Sequence, residues 1–203
     1  MADVVLVHGA GTGGWLWDDV AALLRAEGHR VLAPTLRGVG GPATSADRDV
    51  DLSSHIDAVT ELAEDEDLGR LTLVGFSYGG FVVTGAAARL GDRVTEVIYL
   101  DAFVPQPGRS FFDLLPEAAR VAMQASATAL GDGWRIPPAP LEMIGGLGAR
   151  EPGVDLDHVN AVLARRGFHP LATYEEAFPL EPVLASDVRR VFISARTSRR
   201  VIR

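Results

Sequence analysis

The chain of 203 residues contains no cysteine. That excludes disulfides, thiol nucleophiles, thiolate-held metals and iron–sulfur clusters. Lysine is absent as well, so all 19 basic residues are arginine. Without lysine there is no Walker-A lysine, no Schiff-base lysine and no Tyr-x-x-x-Lys pair of the dehydrogenase kind. Positive charge is also scarce. The formal net charge is −8, which argues against nucleic acid as a partner, because phosphate contacts demand a basic face. No apolar run approaches the roughly 20 residues a membrane span requires. The start, Met1-Ala2-Asp3, lacks a basic segment and leads straight into a strand-like run, which predicts no signal peptide and a cytoplasmic protein.

Apolar residues make up 47% and charged residues 23% of the chain, the profile of a soluble globular protein. The length suits one domain, or one domain carrying an insertion. Val4-Val5-Leu6-Val7 reads as a buried parallel strand, followed by a glycine-rich turn. Leu16, Val20, Leu23 and Leu24 then repeat with helical spacing up to Gly28. Arg30 to Thr35 is a second strand, and residues 37 to 51 form a Gly/Pro/Asp-rich loop. Ser53 is positioned to cap a helix whose inner face holds Ile56, Val59 and Leu62 or Ala63. Leu71 to Gly75 and Val94 to Leu100 are further strands, separated by a helix from Phe81 to Leu90. This alternation implies βαβ units and a parallel sheet covered on both faces. The regularity ends at Pro105-Gln106-Pro107. The stretch 105–182 reads as a mostly helical cap inserted into a core of 1–104 and 183–203, in which Val191-Phe192-Ile193 is one more strand.

Two motifs carry chemistry. Gly75-Phe76-Ser77-Tyr78-Gly79-Gly80 lies where a strand meets a helix, the context a G-x-S-x-G nucleophile elbow needs. Such a turn forces the serine backbone into a strained conformation so that its hydroxyl projects from the sheet. The following helix aims its first amides at any oxyanion formed there. The second motif, His8-Gly9-Ala10-Gly11-Thr12-Gly13-Gly14-Trp15, is open to two readings. Gly9, Gly11 and Gly14 fit the G-x-G-x-x-G dinucleotide fingerprint, with Arg37 available for a 2′-phosphate. Alternatively it is the oxyanion loop of a serine hydrolase, the Ala10 amide complementing that of Tyr78.

Together with Trp17 and Leu100-Asp101-Ala102-Phe103-Val104-Pro105, these motifs resemble the α/β-hydrolase branch of plant hydroxynitrile lyases, methyl-salicylate-type esterases and related bacterial esterases. The resemblance runs from residue 3 to about 195. It implies an α/β-hydrolase fold with a mostly parallel sheet, flanking helices and a helical cap, the C-terminal strand and helix being incomplete. It further implies a cofactor-free, metal-free serine hydrolase acting on a small ester or acyl substrate. Ser77 would be the nucleophile, Ala10 and Tyr78 the oxyanion hole, and Trp15, Phe103, Phe111 and Phe112 the pocket lining. A lyase or cyclase on the same fold, or an impaired hydrolase that only binds small ligands, are the alternatives.

The resemblance breaks down near the end. The family's acid follows the strand matched here by Val191 to Ser194, yet Ser194-Ala195-Arg196-Thr197-Ser198 holds no carboxylate, and no histidine-bearing loop follows. Asp101, just past the fourth strand, is the substitute acid on offer. His158 lies about 200° around its helix from Leu156, and so away from the expected Leu156/Val159/Leu163 stripe. His169 precedes Pro170 in an extended segment, His8 is expected to hold the glycine loop, and His29 and His55 are expected at the surface. Loss of the base from a triad of the subtilisin kind costs roughly 2 × 10⁶ in kcat, so an esterase built of these residues alone should be nearly inert. An unpaired edge at 191–195 would invite a homodimer.

Overall fold

The computed structural model describes residues 1–39, 48–139, 155–181 and 187–194. Five parallel strands make the central sheet: β1 (Asp3–Val7), β2 (Arg30–Leu32), β3 (Leu71–Phe76), β4 (Val94–Leu100) and β7 (Arg189–Ile193), in the order β2-β1-β3-β4-β7. Between β4 and β7 the chain adds a two-stranded ribbon of β5 (Arg135–Ile136) and β6 (His169–Pro170). β1 and β3 are runs rich in Val and Leu because both faces are covered, whereas β7 (Arg189–Ile193) holds no buried residue, against the expectation of a sheet covered on both faces throughout. Among the described residues no helix is long and apolar enough to cross a membrane.

The two faces bury separate clusters. On one, α2 (Leu52–Asp65) and α3 (Gly79–Leu90) pack Ile56, Val59, Phe81, Val82 and Val83 against Val5, Val7, Leu71 and Leu73. On the other, α1 (Asp18–Ala26) follows a 3₁₀ turn at Gly14–Trp17, and Trp17 and Ala21 pack against Val4, Leu6 and Val74. The expected stripe of Leu16, Val20, Leu23 and Leu24 does not form; Leu23 is 70% exposed. The 3₁₀ turn shifts the phase, so Trp17 and Ala21, four apart, face inward instead. The helix does end at Gly28, whose φ of 85° is a left-handed stop.

Asp51, not Ser53, caps α2: its Oδ1 accepts from Ser54 N at 2.8 Å while Ser54 Oγ accepts from Asp51 N. Ser53 is spent on Glu176, giving its N–H and its hydroxyl to the two carboxylate oxygens at 2.8 and 2.5 Å.

Beyond β4, the described chain forms α4 (Glu117–Leu130), α5 (Leu156–Ala164) and a single-turn α6 (Ala172–Glu175). Leu156 of α5 is exposed rather than part of a buried stripe, and no residue of this helix is fully buried. The helix instead leans on α1 through His158–Asp19 at 3.2 Å and Arg165 against Trp15 and Asp18. Gly167 N donates to Gly11 O at 2.8 Å, which ties the returning chain to the loop after β1.

The tightest constraint is the approach of α3 to β3. A Cβ on Gly75 would lie 2.6 Å from Gly79 O, and one on Gly79 would lie 2.7 Å from Val7 O. Backbone atoms so placed cannot yield without moving a strand. Gly75→Ala is therefore expected to destabilise the protein by about 2 kcal/mol or more, measured as the shift in urea midpoint at unchanged m-value; a loss below about 0.5 kcal/mol would show that the elbow has slack.

Candidate active site

In a sheet of order β2-β1-β3-β4-β7 the crossovers leave in opposite directions on either side of the β1–β3 pair, so the crevice beyond the carboxyl ends of those strands is where a ligand fits. Both glycine-bearing loops emerge there. Ser77 has φ 52°, a left-handed conformation that costs an ordinary residue about 1–3 kcal/mol. It is held on two sides: Ser77 O accepts from Gly80 N at 3.2 Å and Phe103 N at 3.1 Å, while Ser77 N donates to Leu100 O at 3.4 Å. The residue is half-buried and lines a cavity of about 430 Å³ with Tyr99, Asp101, Phe103, Phe192 and Ser194. The loop after β1 abuts it, since a Cβ on Gly9 would meet Ser77 Cβ at 3.1 Å. Among the described residues, the backbone N–H groups of Ala10 and Tyr78 donate to no acceptor.

The glycine loop does not take up a dinucleotide-binding geometry. Gly14 N is spent on Thr35 Oγ1 at 2.9 Å, and Gly9 O accepts from both Thr12 N and Thr12 Oγ1. The helix that follows opens only at Asp18, with Asp18 and Asp19 in its first turn, and carboxylates there repel a pyrophosphate.

Behind the two loops lies a layer of buried histidines that sequence reasoning largely missed. His8 Nδ1 donates to Gly9 O at 2.8 Å and its Nε2 accepts from Leu36 N at 2.9 Å, so it holds the loop as expected. His55, expected at the surface, is fully buried. It lies four residues before Val59 on the inward stripe of α2, and that spacing was the signal available. Its Nε2 donates to Arg37 O at 2.9 Å, which leaves Nδ1 to accept from the Tyr78 hydroxyl at 3.0 Å. His169 is buried too. Its Nδ1 accepts from Gly11 N at 3.5 Å and its Nε2 donates to Thr173 Oγ1 at 2.8 Å, whose own proton goes to Pro170 O. Each ring both gives and receives one hydrogen bond, a pattern only the neutral imidazole satisfies. Burial accordingly pushes His8 and His55 down to about 4 and His169 well below the usual histidine range.

The other expected site residues scatter. Asp101, exposed and at φ 43°, shares the Ser77 cavity and donates its N–H to Ile193 O at 2.7 Å. Phe103 lines the same cavity. Phe111 and Phe112 do not line it. Both are 4% exposed core residues, turned inward by the Ser110–Asp113 turn to pack on Tyr174. Trp15 lies beneath the Arg165 guanidinium, its ring centre 4.5 Å away, and does not line the Ser77 cavity. His158 is exposed beside Asp19. All five histidines fall within the described residues, and none lines the Ser77 cavity. A second, more apolar cavity of about 580 Å³ opens on the Ala10 side, bounded by Gly11, Met123, Ile136, Arg166 and His169.

A parallel sheet with a strained serine on the turn between strand and helix, at the switch point of strand order, defines a class of α/β proteins built to present one hydroxyl. The chain belongs to the alpha/beta hydrolase family, whose model matches residues 4–201. It is 51% identical over 118 residues to a carbendazim hydrolyzing esterase of Nocardioides sp., covering 58% of this chain and 49% of that protein. To a probable esterase, PIR7A, of Oryza sativa it is 38% identical over 120 residues, covering 57% and 44%. The chain thus spans about half the length of the curated relatives it matches. Among solved structures it resembles an extracellular α/β-hydrolase from a Paenibacillus species (TM-score 0.76, 22% identity, 96% of this chain and 77% of that one). Tomato methylketone synthase I also superposes (TM-score 0.69, 23% identity, 97% and 80%). At such identities the likeness speaks for the fold.

The buried histidines make stability depend on pH with a definite sign. Their folded-state values lie below the ordinary 6.5, so between about pH 6.5 and 4 the unfolded chain binds the extra protons and stability falls as pH falls. Asp51, the carboxylate that faces His55, opposes this only weakly. Each such histidine costs about 1.4 kcal/mol per pH unit across the window. Urea unfolding at pH 7.5, 6.5 and 5.5 is expected to show this loss, with a shallower slope in His55→Gln; an unchanged midpoint would mean that the native state accepts the protons.

Proposed function

We propose that the protein is a serine esterase for a small carboxylic ester or related acyl compound. Ser77 Oγ attacks the substrate carbonyl and gives its proton to a base. The backbone N–H groups of Ala10 and Tyr78 receive the oxyanion, the alcohol leaves with a proton, and water then releases the acid from the acyl-serine. One observation carries this reading: a serine held at φ 52° on the turn from β3 to α3, opening on a cavity, beside two amides without an acceptor among the described residues. Two amides aimed at a developing charge are each worth about 2.7–4 kcal/mol of barrier in comparable sites. The names of the relatives support an ester substrate, since they include a carbendazim hydrolyzing esterase, methylesterases and a pheophorbidase.

In this reading residues 105–182 form a cap over a core of 1–104 and 183–203, and Phe103 sits at the entrance to the nucleophile. Asp101, on the wall of the same cavity, is the acid available within the chain. No cofactor is required, and the protein is cytoplasmic. β7 ends the sheet among the described residues, and its outer edge supports pairing of two copies.

Covalent capture by a fluorophosphonate tests the nucleophile: the wild-type chain is expected to take up one label at Ser77, and Ser77→Ala none. Labelling that survives the substitution would remove Ser77 from the mechanism.

A second reading, a pocket that binds small ligands without turnover, is favoured by the histidine inventory. His8, His55 and His169 have both ring nitrogens engaged, and His158 and His29 lie elsewhere. Among the described residues no histidine is therefore placed to take the Ser77 proton. Free imidazole separates the two readings, because the 430 Å³ space between Ser77 and Asp101 is open to a small base. If the acylation machinery is intact, ester turnover or labelling by the chain rises with imidazole concentration and does not in Ser77→Ala. No acceleration would favour the binding-only reading.

A further inference from the structure

The apolar cavity on the Ala10 side carries one feature that ester hydrolysis does not require. Its wall is built of small and aliphatic groups from α4, the segment after β5 and the return to β6, with Met123 and Ile136 among them. Two side chains in it are ionisable near neutrality or always charged, His169 and Arg166. His169 is neutral, and both its nitrogens are occupied. Arg166 is left as the cavity's charge.

That charge has no counter-ion among the described residues. Arg166 Nε donates to Leu163 O at 3.0 Å and Nη2 donates to Ala139 O at 2.8 Å. Two of the five guanidinium donors are spent on these carbonyls, and the remainder have no acceptor among the described residues. No described carboxylate pairs with Arg166, a lack it shares with Arg25 and Arg70; what sets Arg166 apart is its place on the cavity wall. Desolvation acts on it without compensation and pulls its pKa down from the usual guanidinium value. The side chain is only half-buried, so solvent can serve its spare donors, and an anionic ligand entering the cavity would take the place of that solvent. The guanidinium fork matches a carboxylate in two-point geometry.

We propose that Arg166 is a specificity-determining residue that makes this cavity a site for an apolar ligand bearing a carboxylate. The carboxylate pairs with the guanidinium, and the hydrocarbon body fills the space toward Ala10 and Gly11. About 580 Å³ is room for a ligand of moderate size, within the range of small-molecule pockets. The proposal deepens the esterase reading and rests on it in one respect. If Ser77 acylates, the preferred substrates are esters with an anionic group remote from the scissile carbonyl.

The test is equilibrium binding, which needs no turnover. Octanoate and its neutral isostere octanamide are titrated calorimetrically into the wild-type chain, Arg166→Met and Arg166→Lys, at low and high salt. Octanoate is expected to bind about tenfold more tightly than octanamide to the wild type, as one charge-assisted pair allows. The preference should weaken with salt, persist in part in Arg166→Lys and vanish in Arg166→Met. Equal binding of the two probes by the wild type, or binding of neither, overturns the proposal. So does a preference that survives in Arg166→Met, which would place the carboxylate on the Ala10 and Tyr78 amides instead. Because Arg166 also bridges two carbonyls, a purely structural role would lower the melting temperature of Arg166→Met while leaving the two probes bound equally by Arg166→Lys. Should Arg166→Met fail to fold, Arg166→Gln decides on the same ratio. Fluorophosphonate labelling is run on the same samples. A chain that prefers octanoate but takes no label loses the serine mechanism and keeps the Arg166 site; a labelled chain without the preference does the reverse.

Discussion

The carbonyl oxygen of Ser77 receives two amides, one from Gly80 in the first turn of α3 and one from Phe103 beyond β4. Much of the site depends on that junction. A left-handed serine is a high-energy conformation, and hydrogen bonds from two different elements keep it from relaxing. The same bonds fix where α3 starts and where the chain leaving β4 must pass. They also leave the Tyr78 amide, one residue on, without an acceptor among the described residues. Strain at Ser77 and a donor beside it without a described acceptor are thus two consequences of a single backbone arrangement. The close packing of Gly75 on Gly79 makes that arrangement possible, since any side chain there would push α3 off the sheet.

The buried histidines extend the same logic from the backbone to side chains. Tyr78 is anchored through its hydroxyl to His55, and Gly11 through its N–H to His169. These anchors come from different parts of the chain, α2 and the return strand β6. The two walls of the proposed oxyanion site are therefore braced by neutral groups from distant parts of the chain, their ring centres 5.9 Å apart. Neutrality matters, because a protonated imidazole would lose its acceptor nitrogen and with it the bond to Tyr78 or Gly11. A charge there would also sit close to a developing oxyanion. Such a charge would attract it from the wrong side.

The repeating strands and helices were legible because burial imposes them locally. Val94–Leu100 is a strand residue for residue as its β-branched run suggests, and Gly91 and Asp101 mark its ends. The elbow was legible for a related reason: glycines at fixed offsets are demanded by close approach, and that demand is visible in sequence. What was hidden depends on tertiary partners. The 3₁₀ turn at Gly14–Trp17 rotated the inward face of α1, which periodicity counted from Leu16 could not register. His55 read as a surface residue because its partners, Tyr78 and the Arg37 carbonyl, lie 23 and 18 residues away in the chain. Phe111 and Phe112 look like pocket aromatics in isolation, and only Tyr174 packing on them explains their inward turn. The expected cap of 105–182 and the core segment 183–203 fall partly on residues 140–154, 182–186 and 195–203, which lie outside the described residues.

This division between backbone and side chains bears on how the family varies. The parts that would stabilise an oxyanion here are main-chain amides on the loops after β1 and β3, and their positions follow from sheet order and glycine packing. Chains sharing only 22% of their residues can therefore superpose closely on this one, at a TM-score of 0.76. The cavity on the Ala10 side is different in kind. Its walls come largely from α4, β5 and the return to β6; Met123 and Ile136 pack on the core and Tyr174 belongs to it, while the remainder of the wall lies outside the core clusters. Substitution of Met123, Ile136 or Arg166 changes volume and charge there without removing the backbone hydrogen bonds that hold Ser77. A charged residue such as Arg166 is tolerable in that wall because its aliphatic stem packs along the cavity and its head keeps two carbonyl partners. On the esterase reading, reactivity and selectivity thus rest on separable portions of the chain, the first on how strands meet helices and the second on what lines the space above them.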